Sequence, residues 1–282
     1  MSRKFCAEMY DSNRDEVRTV DHNDSEQKMK IYVGTSGYGY KEWKGTFYPE
    51  KITAGEMLRF YSDRLSSVEI NNTFYRMPKE SVLASWSGQV PDDFVFAIKA
   101  PQIITHLKRL RNTDEETDYL FRTLSVLGRK LGPVLFQFPG SFHADRSVLN
   151  AFLDPVPDMS CAFEFRHPSW FDDEILGLLR AKGCSLCIAD TDENPSHELI
   201  STASWGYLRL RRSEYTDAAL SQWVESIHSQ KWKKAFVFFK HEEGGKGPAM
   251  AIRFQKLAGS TVNKSVAVTS KKPLRRHGEG GI

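Results

Sequence analysis

The chain has 282 residues, 40% hydrophobic and 27% charged. This is the makeup of a globular protein with a large core, and it excludes a mostly disordered chain. Lysine plus arginine total 39 against 36 acids, a net charge of +3, too mild to announce nucleic-acid binding by itself. Apolar stretches such as 235–239 are far shorter than a bilayer crossing, so no membrane role is expected, and four cysteines fit a reducing compartment, cytoplasmic or nuclear, rather than a disulfide scaffold.

Residues 1–29 are polar and aperiodic and read as a flexible extension without the apolar segment of a signal peptide. From residue 30, short apolar runs alternate with amphipathic ones. IYVGTSG (31–37) is followed by GEMLRFYSDRL, SVEIN (67–71) by KESVLASW, and FVFAIKA (94–100) by DEETDYLFRTLSVLGRKLG. VLFQFP (134–139) precedes RSVLNAFL, and CAFEFRH (161–167) precedes DDEILGLLRAKG. SLCIAD (185–190) leads into the weakest helical segment, ENPSHELISTA, which reads as one short turn at most. WGYLRLR (205–211) precedes TDAALSQWVESIHSQ, and AFVFFKH (235–241) precedes PAMAIRFQKLAG. Residues 261–282 turn basic and Gly-rich and read as a flexible tail, in which KKPLRRH has the makeup of a nuclear import signal.

Eight strand-length runs, each opening a βα unit of about 30 residues, predict an α/β fold. The expected architecture is a single (β/α)8 TIM-type barrel over residues 30–260. The rival is an open doubly wound sheet. It lacks its glycine signature, because GTSGYGY after the first strand does not spell GxGxxG. Flavin and nicotinamide signatures are missing with it.

Strand alternation assigns side chains to the two faces of the sheet. If Val68, Ile70, Phe96, Ile98, Phe136, Phe163, Leu208 and Leu210 face the helices, then Glu69, Asn71, Lys99, Gln137, Glu164, Arg166 and Arg209 enter the lumen. Tyr207 and Arg211 share that alternation. Ser36 and Asp190 close the first and sixth strands. These positions fall at strand C-termini, the end where barrel enzymes act. Buried charges require partners, so the set reads as a network prepared for an anionic or heavily hydroxylated ligand, or as a polar filling of the lumen.

The blocks GTSGYGYKEWKGTFYPE, VEINNTFYRMP, FAIKAPQIITHLKRL, LGRKLGPVLFQFP, AFEFRHPSWF, LCIAD and TASWGYLRLR resemble, in order, those of the family called domain of unknown function seventy-two. The resemblance spans roughly residues 30–240. It implies a TIM-type barrel and no defined activity. The chain departs from the family pattern after the eighth strand, where Lys240 and His241 stand in place of the usual asparagines. No functional residue is carried over there.

Glu164, Glu69 and Asp190 are the candidate acid/base groups. Ser36, Asn71, Lys99, His106, Gln137, Arg166 and Arg209 are the candidate substrate-binding groups. His106 and His167 with the acids could ligate a divalent metal, though no HxH or HxxxH spacing supports one. The CSLC pair Cys184 and Cys187 starts a strand, where i and i+3 point apart, so both read as structural thiols. Tyr38, Tyr40 and Trp43 either offer stacking surfaces or pack a tight rim loop. Lys246 in EEGGKGPA either binds phosphate at a helix start or sits in a solvated loop. HLKRLRN and RLRLRRS add a basic rim. The leading expectation is an enzyme acting on an anionic, phosphate-bearing substrate, with phosphoester hydrolysis as its reaction. The alternatives are carbohydrate chemistry at the carboxylate pair and a non-catalytic protein binding a nucleotide or nucleic acid.

Overall fold

The computed structural model describes residues 29–156, 159–196, 198–240 and 243–269. One sheet of eight strands runs in the order β1-β8-β7-β6-β5-β4-β3-β2, and every paired neighbour is parallel. The strands are β1 (Lys30–Thr35), β2 (Ser67–Ile70), β3 (Val95–Lys99), β4 (Leu131–Gln137), β5 (Cys161–Glu164), β6 (Ser185–Asp190), β7 (Trp205–Leu210) and β8 (Lys234–Phe239). Each corresponds to one of the eight apolar runs. A sheet buried on both faces selects near-continuous apolar sequence, which is why the runs were conspicuous.

The helices are α1 (Met57–Ser62), α2 (Glu80–Gln89), α3 (Asp114–Leu124), α4 (Arg146–Leu153), α5 (Asp173–Ala181), α6 (Asp217–His228) and α7 (Lys246–Thr269). Side-chain caps start α4, α5 and α6: Asp145 accepts from the Val148 amide, Asp172 from Glu174 and Thr216 from Ala219. Buried Ile175, Leu176 and Leu179 give α5 the stripe that packs on the sheet. Between β6 and β7 no helix forms among the described residues, as the weak periodicity there suggested. The chain is a single (β/α)8 barrel. The expected extensions, 1–29 and 261–282, lie outside the described residues apart from Met29 and the last turns of α7; the KKPLRRH segment lies wholly outside them.

β1 and β2 close the barrel through a narrow seam. One bridge joins Ser36 to Glu69, and the Gly37 amide donates to the Glu69 carbonyl at 2.8 Å. Below it, the Tyr61 hydroxyl of α1 replaces a rung of the ladder. It accepts from the Thr35 amide at 2.8 Å and donates to the Ser67 carbonyl at 2.9 Å. The Ser66 hydroxyl accepts from the Val33 amide at 3.0 Å. Hydroxyls thus satisfy backbone groups that a regular ladder would pair.

Two apolar layers sandwich the sheet. Val68, Phe96, Ile98, Phe136, Phe163, Leu208 and Leu210 pack between strands and helices. Tyr32, Val95, Ala97, Leu135, Ala162, Cys187, Tyr207, Phe236 and Phe238 fill the lumen. The lumen is therefore a packed core, and ligand access is confined to its ends.

Candidate functional site

The next inward positions along the strands, toward their C-terminal ends, are polar: Ser36, Glu69, Lys99, Gln137, Glu164 and Arg209. Arg209 sits at the centre. Its Nη2 donates to Glu69 Oε1 at 2.8 Å, and its Nη1 donates to Glu164 Oε2. All three residues are at most 2% exposed. Glu69 also accepts from the Ser36 hydroxyl (2.8 Å), Asn71 Nδ2 (3.0 Å) and the Tyr207 hydroxyl (2.8 Å). Glu164 accepts from Arg166 Nε at 3.2 Å. Burial opposes ionisation of both acids. For Glu69 the Arg209 charge and three hydrogen bonds outweigh it and hold the carboxyl at about 2. Arg209 and Arg166 likewise keep Glu164 below the usual range. Both are carboxylates at neutral pH.

Lys99 ends β3 on the lumen side. Its Nζ lies 4.1 Å from the centroid of the Phe74 ring. Burial, then repulsion from Arg209, brings its pKa down to about 8 against the pull of Glu69 and Glu164. His106 stands edge-on to the same Phe74 ring at 4.8 Å, and its Nδ1 meets the Thr105 hydroxyl at 2.9 Å. Burial, Lys99 and Arg166 lower the imidazole pKa, which favours the neutral ring. His106 is carried on a π-helical turn, Ile103–Leu107. That turn runs into three non-glycine residues of positive φ: Arg109 (48°), Leu110 (68°) and Asn112 (51°). Such strain and π-turns concentrate at functional sites.

A cleft of ≈ 1210 Å³ opens beside this cluster, bordered by Glu164, Arg166, Arg211 and Lys240 and by the β6–β7 segment from Thr191 to Ser196. Burial and Arg209 lower the pKa of the Arg211 guanidinium, which stays a cation because arginine titrates so high. Among the described residues, neither Lys99 nor Arg211 has a carboxylate within ion-pair distance. Four cations (Lys99, Arg166, Arg209, Arg211) face two carboxylates (Glu69, Glu164), an excess of two positive charges. An acidic wall of Asp192, Glu193, Glu198 and Glu243 lines the same cleft, all four exposed.

Asp190 is not brought into this cluster. It shares the helix-facing side of β6 with Ile188. There it accepts from Arg212, from the Ser196 amide (2.9 Å) and from the Tyr215 hydroxyl (2.7 Å), tying two loops together. Gln137 is paired in register with Glu164, but its amide turns to the Phe138 carbonyl at 3.3 Å. His167 caps a short turn, its Nδ1 accepting from the Ser169 amide. Cys184 and Cys187 are buried in opposite layers of the sheet. Burial raises both thiols, Cys184 to about 11. Trp43 is buried against Tyr40 and Tyr48, so the glycine-rich loop after β1 is packed on the rim.

Much of the basic rim is already paired. Lys108 meets Glu116, Arg111 meets Asp145 and Lys246 approaches Glu214. Among the described residues no group of three His, Cys, Asp or Glu is placed to hold a metal ion, and no helix is long and apolar enough to cross a membrane. His241 lies outside the described residues.

Three residues join the site without a role assigned from sequence. Tyr207 and Arg211 were legible as inward positions of β7, but nothing local tied Tyr207 to Glu69 across the barrel. Phe74 carried no signal beyond its aromatic character.

The sequence model of the family described as "Protein of unknown function DUF72" matches residues 32–275. The UPF0759 protein YunF of Bacillus subtilis (strain 168) is 25% identical over 257 residues, covering 76% of this chain and 90% of that protein. The UPF0759 protein YecE of Escherichia coli (strain K12) is 32% identical over 143 residues, half of each chain. A DUF72 family crystal structure from Thermotoga maritima MSB8 superposes with a TM-score of 0.74 at 28% identity, covering 82% of this chain and 99% of that one. A barrel of eight parallel strands, matched over nearly its full described length, places the chain in the DUF72 family.

Proposed function

We propose that this barrel is an enzyme for a small anionic substrate, phosphate-bearing by preference, whose anionic end binds Arg166 and Arg211 at the mouth. One observation carries the reading: the inner cluster at the strand ends sets four cations against two carboxylates, and among the described residues two of those cations, Lys99 and Arg211, have no carboxylate within ion-pair distance. An unpaired charge in a half-buried site is costly, and a ligand anion removes that cost with charge-assisted hydrogen bonds. Arg209 is not available for this role, since Glu69 and Glu164 occupy it. Those carboxylates hold Arg209 and are themselves held ionised. This weighs against either of them protonating a leaving group, in a phosphoester or a glycoside alike. Proton transfer falls to Lys99, whose pKa is brought down to about 8, and to the neutral His106 ring that flanks the same Phe74.

The acidic wall argues for a small molecule. Asp192, Glu193, Glu198 and Glu243 would repel a polyanion laid across the cleft, which disfavours nucleic acid as the ligand.

Thermal melting tests the reading, because a ligand that binds only the folded state raises Tm by mass action. Inorganic phosphate and sugar phosphates should raise Tm saturably, and neutral sugars should not. Arg166→Met and Arg211→Met should each weaken that phosphate dependence about tenfold, the worth of one charged hydrogen bond. Equal shifts with neutral sugars, or phosphate shifts untouched by both substitutions, would refute the anion site.

A further inference from the structure

We infer that Lys99 is an amine nucleophile that forms an imine with the carbonyl carbon of an aldehyde or ketone bearing an anionic group. The inference rests on the anion reading above, with Arg166 and Arg211 holding the charged end of the substrate.

Placement is the first argument. Lys99 closes β3 on the inward side, half-buried at the mouth of the barrel, where a substrate atom can reach it. Isolation is the second. Lys108, Lys130 and Lys182 each have a carboxylate within 4.0 Å, whereas among the described residues Lys99 has no carboxylate within that distance and meets the face of Phe74. That ring steadies a cation modestly but accepts no proton. The surrounding charges are the third. Arg209 and Arg166 repel the ammonium, while Glu69 and Glu164 are engaged by those same arginines. Burial and neighbouring cations together favour the free amine, the condition that activates lysine nucleophiles. With a pKa brought down to about 8, Lys99 holds on the order of a hundredfold more free amine at pH 7 than an ordinary lysine near 10.4. The neutral His106 ring, edge-on to the same Phe74, is positioned to carry protons in the steps that follow.

The chemistry balances without a further reactant. The amine lone pair forms a C–N bond as the carbonyl π electrons move to oxygen. One amine proton and one proton from solvent leave with that oxygen as water. The product is a protonated imine on Lys99, in which the former carbonyl carbon is electrophilic.

Reductive trapping on the full chain tests this. The protein is incubated at pH 7 with glyoxylate or glyceraldehyde 3-phosphate and sodium cyanoborohydride, then weighed intact and mapped by peptides. The expected result is one saturating adduct per chain on Lys99, heavier by the mass of the probe less one oxygen. It should form at least ten times faster than label on any other lysine and be absent in Lys99→Met. Lys99→Arg keeps the charge and should also lose the adduct, which separates nucleophilicity from folding. Label spread evenly over surface lysines, or unchanged in both variants, would overturn the assignment. Inorganic phosphate melting curves on the same proteins separate the two readings. If phosphate still stabilises the wild type but Lys99 takes no label, the nucleophile fails alone. If neither occurs, the anion site has failed with it.

Discussion

Replacing Arg209 by Met should cost about 3–5 kcal/mol of stability at pH 7, the penalty for stranding buried charges whose partner has been removed. Glu69 and Glu164 both point at this guanidinium, and both are almost wholly buried. Without it, Glu69 keeps no cation within ion-pair distance among the described residues, and Glu164 keeps Arg166. Urea unfolding of the wild type and Arg209→Met, at constant m-value, measures the loss. The triple variant Glu69→Gln, Glu164→Gln, Arg209→Met should recover much of it, because neutral amides can share hydrogen bonds where bare carboxylates cannot.

The pH dependence has a defined sign. In the wild type Glu69 titrates at about 2, below its unfolded value of about 4.3. Its contribution is therefore fully present above that unfolded value and is lost as pH falls toward 2. In Arg209→Met burial is opposed less, so both carboxyl pKa values rise. The variant should be furthest below the wild type near neutrality, and the gap should narrow as pH falls through 5. A gap independent of pH would mean that the loss comes from packing alone.

The second large effect is expected at the seam. Gly34 faces β2 so closely that a Cβ there would lie 1.9 Å from the Ser67 carbonyl oxygen and 3.0 Å from the Tyr61 hydroxyl. Backbone cannot move aside as a flexible side chain does. Gly34→Ala must push β1 from β2, straining the Tyr61 hydroxyl that joins the Thr35 amide to the Ser67 carbonyl. Overpacking plus one or two unsatisfied backbone groups amounts to about 3–5 kcal/mol. Gly177→Ala is the matched control. Gly177 lies within α5 with open space around its missing Cβ, and alanine there should be neutral or stabilising by up to about 1 kcal/mol. Similar urea midpoints for the two variants would show that the seam tolerates opening.

The barrel was legible because parallel strands covered on both faces leave continuous apolar runs, from IYV in β1 to FVFF in β8. Strand alternation then placed Glu69, Lys99, Glu164 and Arg209 in the lumen, since each follows a large apolar residue that packs toward the helices. Alternation cannot supply the pairing. That one arginine would bind both acids depends on distances across the barrel between residues 45 and 140 positions apart. Asp190 shows the cost of using strand ends without parity. It shares a face with Ile188 and so meets Arg212 and Tyr215, while the small Ala189 points inward. The acidic wall at 192–198 belongs to an irregular connection, where no periodicity relates sequence to position.

The most direct measurement is a crystal soaked in tungstate, a phosphate-like oxyanion located by its anomalous scattering. The account predicts an ion at the C-terminal mouth within hydrogen-bond reach of Arg166 and Arg211, with Arg209 still bound to Glu69 and Glu164. Tungstate bound elsewhere on the barrel, with the mouth unoccupied at saturating concentration, would contradict an anion-binding site there.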